Sequence, residues 1–215
     1  MPRFRPVIVI ASVLLLSAAH IRAQPPDAPA NMSFFVTSTG RGFGGNLGGL
    51  VGADAQCQRL AAAVGRDDRV WHAYLSAPAT AGAPAVNARD RIGRGPWFNA
   101  KGVKIASSVA DLHSANNAIT RETARNEKGV MIGPGRHDIM TGSNEDGTLS
   151  TAAADTTCHG WTSGNEGSAM LGHHNRYGGG SHPESWNSAH PSRGCSQDAL
   201  RASLGDGLFY CFAAD

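Results

Sequence analysis

The chain is poor in lysine: only Lys101, Lys104 and Lys128 occur, so arginine supplies nearly all of its positive charge. Neither sign dominates, with 19 Lys and Arg against 17 Asp and Glu. If residues 1–23 are removed, Arg3, Arg5 and Arg22 go with them, leaving 16 basic side chains against 17 acidic. A near-neutral chain lacks the basic field that drives sequence-independent binding to nucleic acid, so nucleic acid is not expected as a partner. No Cys-x-x-Cys pair occurs and no two histidines stand four apart, which removes the common zinc-finger and zincin patterns. A G-x-S-x-G nucleophile elbow is absent as well. No internal repeat is found, and beyond residues 7–19 no stretch is long and apolar enough to cross a bilayer.

Residues 1–23 have the features of a cleaved signal peptide. Arg3 and Arg5 form a short positive region, and Val7–Ala19 is apolar except for Ser12 and Ser17. Small residues place cleavage after Ala19 or Ala23. The apolar run is too short to span a bilayer, so no transmembrane anchor is expected after cleavage. Secretion or periplasmic export follows. Residues 24–32, with Pro25, Pro26 and Pro29, are expected to be a proline-rich, extended tether. Residues 33–215 fit a single domain. Asn31-Met32-Ser33 is a glycosylation sequon, which has meaning only in a eukaryotic secretory pathway. Arginine in place of lysine, with abundant alanine and glycine, instead suits a GC-rich bacterial genome.

Four cysteines in an exported chain indicate two disulfides, and composition alone leaves three pairings open. The best helix is expected over Asp54–Val64, where Cys57, Leu60, Ala61 and Val64 fall at i, i+3, i+4 and i+7 and Gly65 suits the C-terminal cap. Strands are expected at Phe34–Thr39, Val70–Leu75, His137–Met140 and Gly207–Phe212, with a weaker helix at Ala118–Glu127. In the second strand Trp71, Ala73 and Leu75 share one face. Between Cys158 and Cys195 nothing is periodic, and so long an irregular stretch in a compact domain points to function when a disulfide closes it. Gly40-Arg41-Gly42-Phe43-Gly44-Gly45 matches the dinucleotide fingerprint. Residues 46–52 separate it from the expected helix, however, so no helix N-terminus would meet the phosphates. Asp155 and Glu166 are available as an acid/base pair, but nothing in the sequence sets their separation.

Several runs together resemble a known family. Gly48-Gly49-Leu50-Val51-Gly52-Ala53-Asp54-Ala55-Gln56-Cys57, Ala62-Ala63-Val64-Gly65 and Trp71-His72-Ala73-Tyr74-Leu75-Ser76 resemble the N-terminal half of the endostatin module. Gly142-Ser143-Asn144-Glu145-Asp146-Gly147 extends the likeness. Cys158-His159-Gly160-Trp161-Thr162-Ser163, Trp186-Asn187-Ser188, Cys195 and Leu208-Phe209-Tyr210-Cys211 look more like secreted bacterial lectin-like proteins of the same C-type-lectin-like superfamily. The resemblance covers roughly residues 34–213. It implies an α+β fold of endostatin-like type: two helices, small antiparallel sheets and a long irregular loop region. It also implies the nested disulfides Cys57–Cys211 and Cys158–Cys195. Calcium-dependent lectins of the superfamily carry a proline-containing triplet before the third cysteine and a Trp-Asn-Asp triplet. Here the nearest polar cluster is Asn144-Glu145-Asp146, and the second triplet ends in Ser188. A calcium site has lost carboxylate charge, so calcium is not expected.

The resemblance and the loop composition together lead to a non-catalytic, carbohydrate-binding or protein-binding module that acts without calcium. Its partner would be a glycan or an extracellular protein surface, and it would need no cofactor. The binding surface is expected on the Cys158–Cys195 loop, with Trp161, Asn165, Glu166, His173, His174, Asn175, Arg176, Trp186, Asn187 and His190 as contact residues. Trp161 and Trp186 either pack on the disulfide or offer a face to a pyranose, while Trp71 and Trp97 belong to the core. The alternative is a zinc-dependent hydrolytic enzyme built on the histidine-rich loop, with His159, His173, His174, His182 and His190 as the metal candidates, since neutral imidazoles suit zinc.

Overall fold

A computed structural model describes residue 1, residues 28–152 and residues 154–215. The expected signal peptide and most of the tether lie outside these residues. The described end of the tether is docked: Met32 is fully buried, Ala28 N–H donates to Val64 O, and Arg66 donates to Pro29 O.

The architecture is set by the last strand. β8 (Gly205–Ala213) runs between β1 (Phe34–Val36) and β2 (Trp71–Ala73), antiparallel to both, with Phe35 and Ala73 each opposite Cys211. Its first half pairs in parallel with β5 (Asp138–Met140), which is followed outward by β6 (Met170–His173) and β7 (His190–Pro191). The result is a six-stranded mixed sheet beside a separate hairpin of β3 (Trp97–Phe98) and β4 (Lys104–Ala106). The small sheets of an α+β fold are as expected, but the β5–β8 pair is parallel where antiparallel pairing was expected, and four α-helices form among the described residues where two were expected.

Period-two alternation along β8 divides the core. Phe209, Cys211 and Ala213 face the cluster that holds Phe35, Trp71 and Ala73 and the helix α1 (Gly49–Ala62). Leu208, Tyr210 and Phe212 face the other, with Phe34, Tyr74, Trp97, Ile105, Ile139 and Trp186. In α1 the buried residues Ala53, Gln56, Cys57, Leu60 and Ala61 follow the helical period. The helix begins five residues before the expected start. Glycines there lower helix propensity, but a Cβ at Gly52 would collide with Leu47 O, so close packing selects glycine. Beyond its end, Gly65 has φ +72°, as its expected role in stopping the helix requires.

No helix forms at Ala118–Glu127. Side chains there compete for the backbone: Asn117 Oδ1 accepts from Ile119 N, and Thr123 Oγ1 accepts from Thr120 N and donates to Ala118 O. A short helix, α2 (Val109–Leu112), forms just upstream, where the Ser108 hydroxyl caps Asp111 N. The remaining helices are α3 (Cys158–Trp161) and α4 (Gln197–Ala202), the latter capped by Ser196. Both nested disulfides form, Cys57–Cys211 tying α1 to β8 and Cys158–Cys195 closing the loop region.

Candidate functional site

Two features lie on either side of the segment that joins β6 to β7. The first is a cleft of about 500 Å³. One wall comes from His113, Ser114 and Asn117 after α2, and the other from Ser181, His182, Pro183 and Glu184, with Glu145 and Arg176 at its margins and Trp186 and Asn187 beneath. Its polar groups are fixed by the protein itself. Asn187 Nδ2 donates to the Tyr74 hydroxyl and to the carbonyls of Asn144 and Glu145, while its amide oxygen accepts from Ser185 Oγ. The triplet-like segments Asn144-Glu145-Asp146 and Trp186-Asn187 therefore do meet, but through hydrogen bonds that occupy the asparagine. Arg176 donates to Ile119 O, Glu184 O and Asn117 Oδ1. His182 Nδ1 stands 3.4 Å from Glu145 Oε1 at the rim.

Under the cleft, His113 Nδ1 contacts Val109 O at 2.7 Å, so that nitrogen carries the proton and Nε2 accepts from the Tyr74 hydroxyl at 2.7 Å. Burial holds His113 below the ordinary histidine range and raises Tyr74, so both are neutral.

The second feature is a cluster of imidazoles around one carboxylate. His137 Nε2 and His173 Nε2 lie 3.1 and 3.2 Å from Asp138 Oδ1, and His190 Nε2 lies 3.4 Å from Oδ2. Asp138 is 1 % exposed, and neither of its oxygens has a partner in hydrogen-bond geometry. Strand register builds this arrangement, because β5 sets Asp138 opposite His173 and β7 sets His190 opposite Leu171. Gly178 lets the chain cross close over the His173 ring, where a Cβ would collide. Burial alone would raise the Asp138 carboxyl, but the imidazoles of His137 and His173 outweigh it and hold it below the usual range. Burial likewise works against the charge on His173, while Asp138 and the Pro183 carbonyl raise it. Within the described residues, His137, Asp138 and His173 place one donor atom each within 4.8 Å of one another, the reach of a metal ion.

The expected contact residues do not all come together. Arg176, Trp186 and Asn187 line the cleft, and His173 and His190 enter the cluster, with Asn175 Nδ2 3.1 Å from His137 Nδ1 at its edge. Trp161 is fully buried, its indole N–H donating to Ser76 O, and Trp186 is buried among Tyr74, His113 and Tyr210. Neither indole has a face free for a sugar, which corrects the stacking expectation in favour of core packing. Asn165 and Glu166 are exposed on the turn after α3, where Glu166 O accepts from Ser163 Oγ, and they do not line this cleft.

The metal candidates divide as well. His159 is exposed beside Gly167, and His182 is on the cleft rim. His174 is buried with both ring nitrogens unpartnered, and burial, aided by His137, lowers it to about 4, so it is uncharged at neutral pH. Sequence reasoning missed His113, Asn117, Glu145 and Glu184 in the cleft, and His137 and Asp138 in the cluster. The available signal for the last was an aspartate beginning an otherwise apolar strand, since a buried carboxylate needs a partner of opposite charge. No protein-family model and no curated protein matches this chain, so the functional argument rests on the geometry of the two sites.

Proposed function

We propose that this chain is an exported, non-catalytic binding module of lectin-like fold. It recognises a glycan or an extracellular protein surface through the cleft between residues 113–117 and 181–187, without calcium. Two formed disulfides suit an oxidising compartment. The observation that carries the reading is preorganisation: Asn187 is locked by four protein hydrogen bonds and Arg176 by three before any ligand arrives. Ordering side chains on binding costs about 0.5–1.5 kcal/mol each, and here that cost is met in the fold. Around this fixed base, the exposed carboxylates of Glu145 and Glu184 accept hydrogen bonds while His182 and Ser181 donate, a mixture suited to hydroxyl groups.

A glycan array probed with the purified chain supplies a ligand. Its affinity is expected to fall at least about tenfold in a His182→Ala/Glu184→Ala variant, the scale of one or two lost polar contacts. It should stay unchanged in Arg41→Ala. The reverse pattern, with circular dichroism reporting intact folds, moves the site to the glycine-rich segment before α1. The second reading, a metal-dependent hydrolase, is favoured by the His137/Asp138/His173 cluster. A catalytic metal keeps an open position for water, whereas these three side chains are 7 %, 1 % and 0 % exposed, which places the binding reading first.

A further inference from the structure

The cluster around Asp138 sets three imidazole nitrogens against one buried carboxylate. His173 Nδ1 lies 2.7 Å from Pro183 O, and His190 Nδ1 lies 3.0 Å from Pro191 O. A carbonyl oxygen only accepts, so in each neutral ring the proton sits on Nδ1 and Nε2 keeps its lone pair. Those two Nε2 atoms are nevertheless 3.0 Å apart, and both face a buried carboxylate. With both rings neutral, two lone pairs and an anion converge, and a cation between them offsets the charge; His137 joins them with Nε2 once the Asn175 amide that now donates to its Nδ1 turns. The contacts of His137 and His173 with Asp138 Oδ1 are short, yet they miss hydrogen-bond geometry. Neighbouring ligands of one ion behave this way, because each donor atom points at the ion rather than at the next ligand. Ligands at the usual zinc distances of about 2.0–2.1 Å and tetrahedral angles stand about 3.3–3.4 Å apart. The separations to Asp138 and between His173 and His190 run from 3.0 to 3.4 Å, and the donor atoms of His137, Asp138 and His173 all lie within 4.8 Å of one another.

We propose that His137, Asp138 and His173 hold one divalent transition-metal ion, zinc foremost, with His190 closing on it as a fourth ligand. Imidazole nitrogens with a single carboxylate select this class over calcium or magnesium, which require mainly oxygen donors. The carbonyls of Pro183 and Pro191 act as outer partners, fixing the ring tautomers that present Nε2. The ion's role is structural. His173 ends β6 and His190 begins β7, so the ion clamps the base of the 174–189 segment, whose outer side lines the cleft. This clamp does not depend on the cleft's binding a glycan.

The test uses the full mature chain, stripped with chelator and titrated with zinc alone. One ion per chain is expected in calorimetry, with a rise in Tm of about 5–10 °C at zinc a hundredfold above Kd. Amide hydrogen exchange should slow across residues 174–189. Cobalt should enter the same site and give a visible spectrum typical of four ligands. Asp138→Asn, which preserves shape and removes charge, should weaken zinc about a hundredfold or more, and His190→Ala about tenfold. His159→Ala and His182→Ala, both at exposed histidines, should leave affinity within about twofold. The proposal is overturned if the stripped wild-type chain takes up no zinc, which would mean that a shared proton joins His173 and His190. It is equally overturned if uptake survives Asp138→Asn but is lost with His159 or His182. The wild-type titration is decisive without any variant.

Discussion

His174 is the side chain whose position the fold least repays. It is 1 % exposed, both ring nitrogens lack partners, and burial keeps it neutral with its pKa lowered to about 4. An unsatisfied buried polar group costs about 1–3 kcal/mol, so His174→Leu is expected to raise unfolding free energy by about 1 kcal/mol in urea titration. A clear loss would mean that the imidazole has a partner of its own. His113 offers a second measurement. Burial lowers its pKa in the folded chain, while the unfolded chain takes up a proton near pH 6.5. The unfolded state therefore binds more protons below that pH, and stability falls on acidification. His113→Gln keeps an acceptor for the Tyr74 hydroxyl and should flatten that fall as the pH drops below about 6.5; an unchanged slope would clear His113 of the effect. At this scale the sequence conveyed residue types but not their surroundings. Trp161 and Trp186 were legible as large apolar groups of the cystine loop, but only Trp161 shares a core cluster with the disulfides, Trp186 lying in the other. Whether their faces were free depended on Ser76, Tyr74 and Tyr210, which are distant along the chain.

Among the elements, α3 is the least regular. Cys158, His159, Gly160 and Trp161 have φ of 47°, 56°, 64° and 68°, a left-handed turn costing about 1–2 kcal/mol at each non-glycine residue. Its neighbours impose it: Trp161 N donates to Thr157 O, Thr162 N to Cys158 O, and the Trp161 ring is buried. His159 is exposed, with its backbone N–H on Asp155 Oδ2. His159→Gly should therefore gain about 0.5–1 kcal/mol after the entropy glycine brings to the unfolded chain. Equal stability in denaturant titration would show the turn to be unstrained. No periodic pattern announces such a turn, since it arises from constraints on both sides of it. The strand now labelled β8, by contrast, was plain in the alternation of Leu208–Phe212. α1 was found by its apolar period but begun late, because glycines chosen for close packing resemble helix breakers. The Ala118–Glu127 expectation failed where Thr120, Thr123 and Asn117 bind the local backbone instead.

Across the whole molecule, one strand separates two cores and one disulfide joins the first helix to that strand. Cys57–Cys211 spans 154 residues and is buried at both ends. Its removal as Cys57→Ala/Cys211→Ala should cost about 2–5 kcal/mol in denaturant titration. A loss under about 1 kcal/mol would show that the sheet closes without it. The cleft and the histidine cluster are products of this assembly, each gathering residues from three or more segments. That is why the Cys158–Cys195 loop could be singled out by its composition, while the part that His137, Asp138, His113 and Glu145 take in the cleft and the cluster could not. The proposed role of the cleft is tested most directly by amide hydrogen exchange on residues 24–215, with and without a glycan that the array shows to bind. Slowed exchange is predicted in residues 113–117, 144–146 and 176–187. Protection confined to residues 40–49, or none in the cleft segments, would contradict the account.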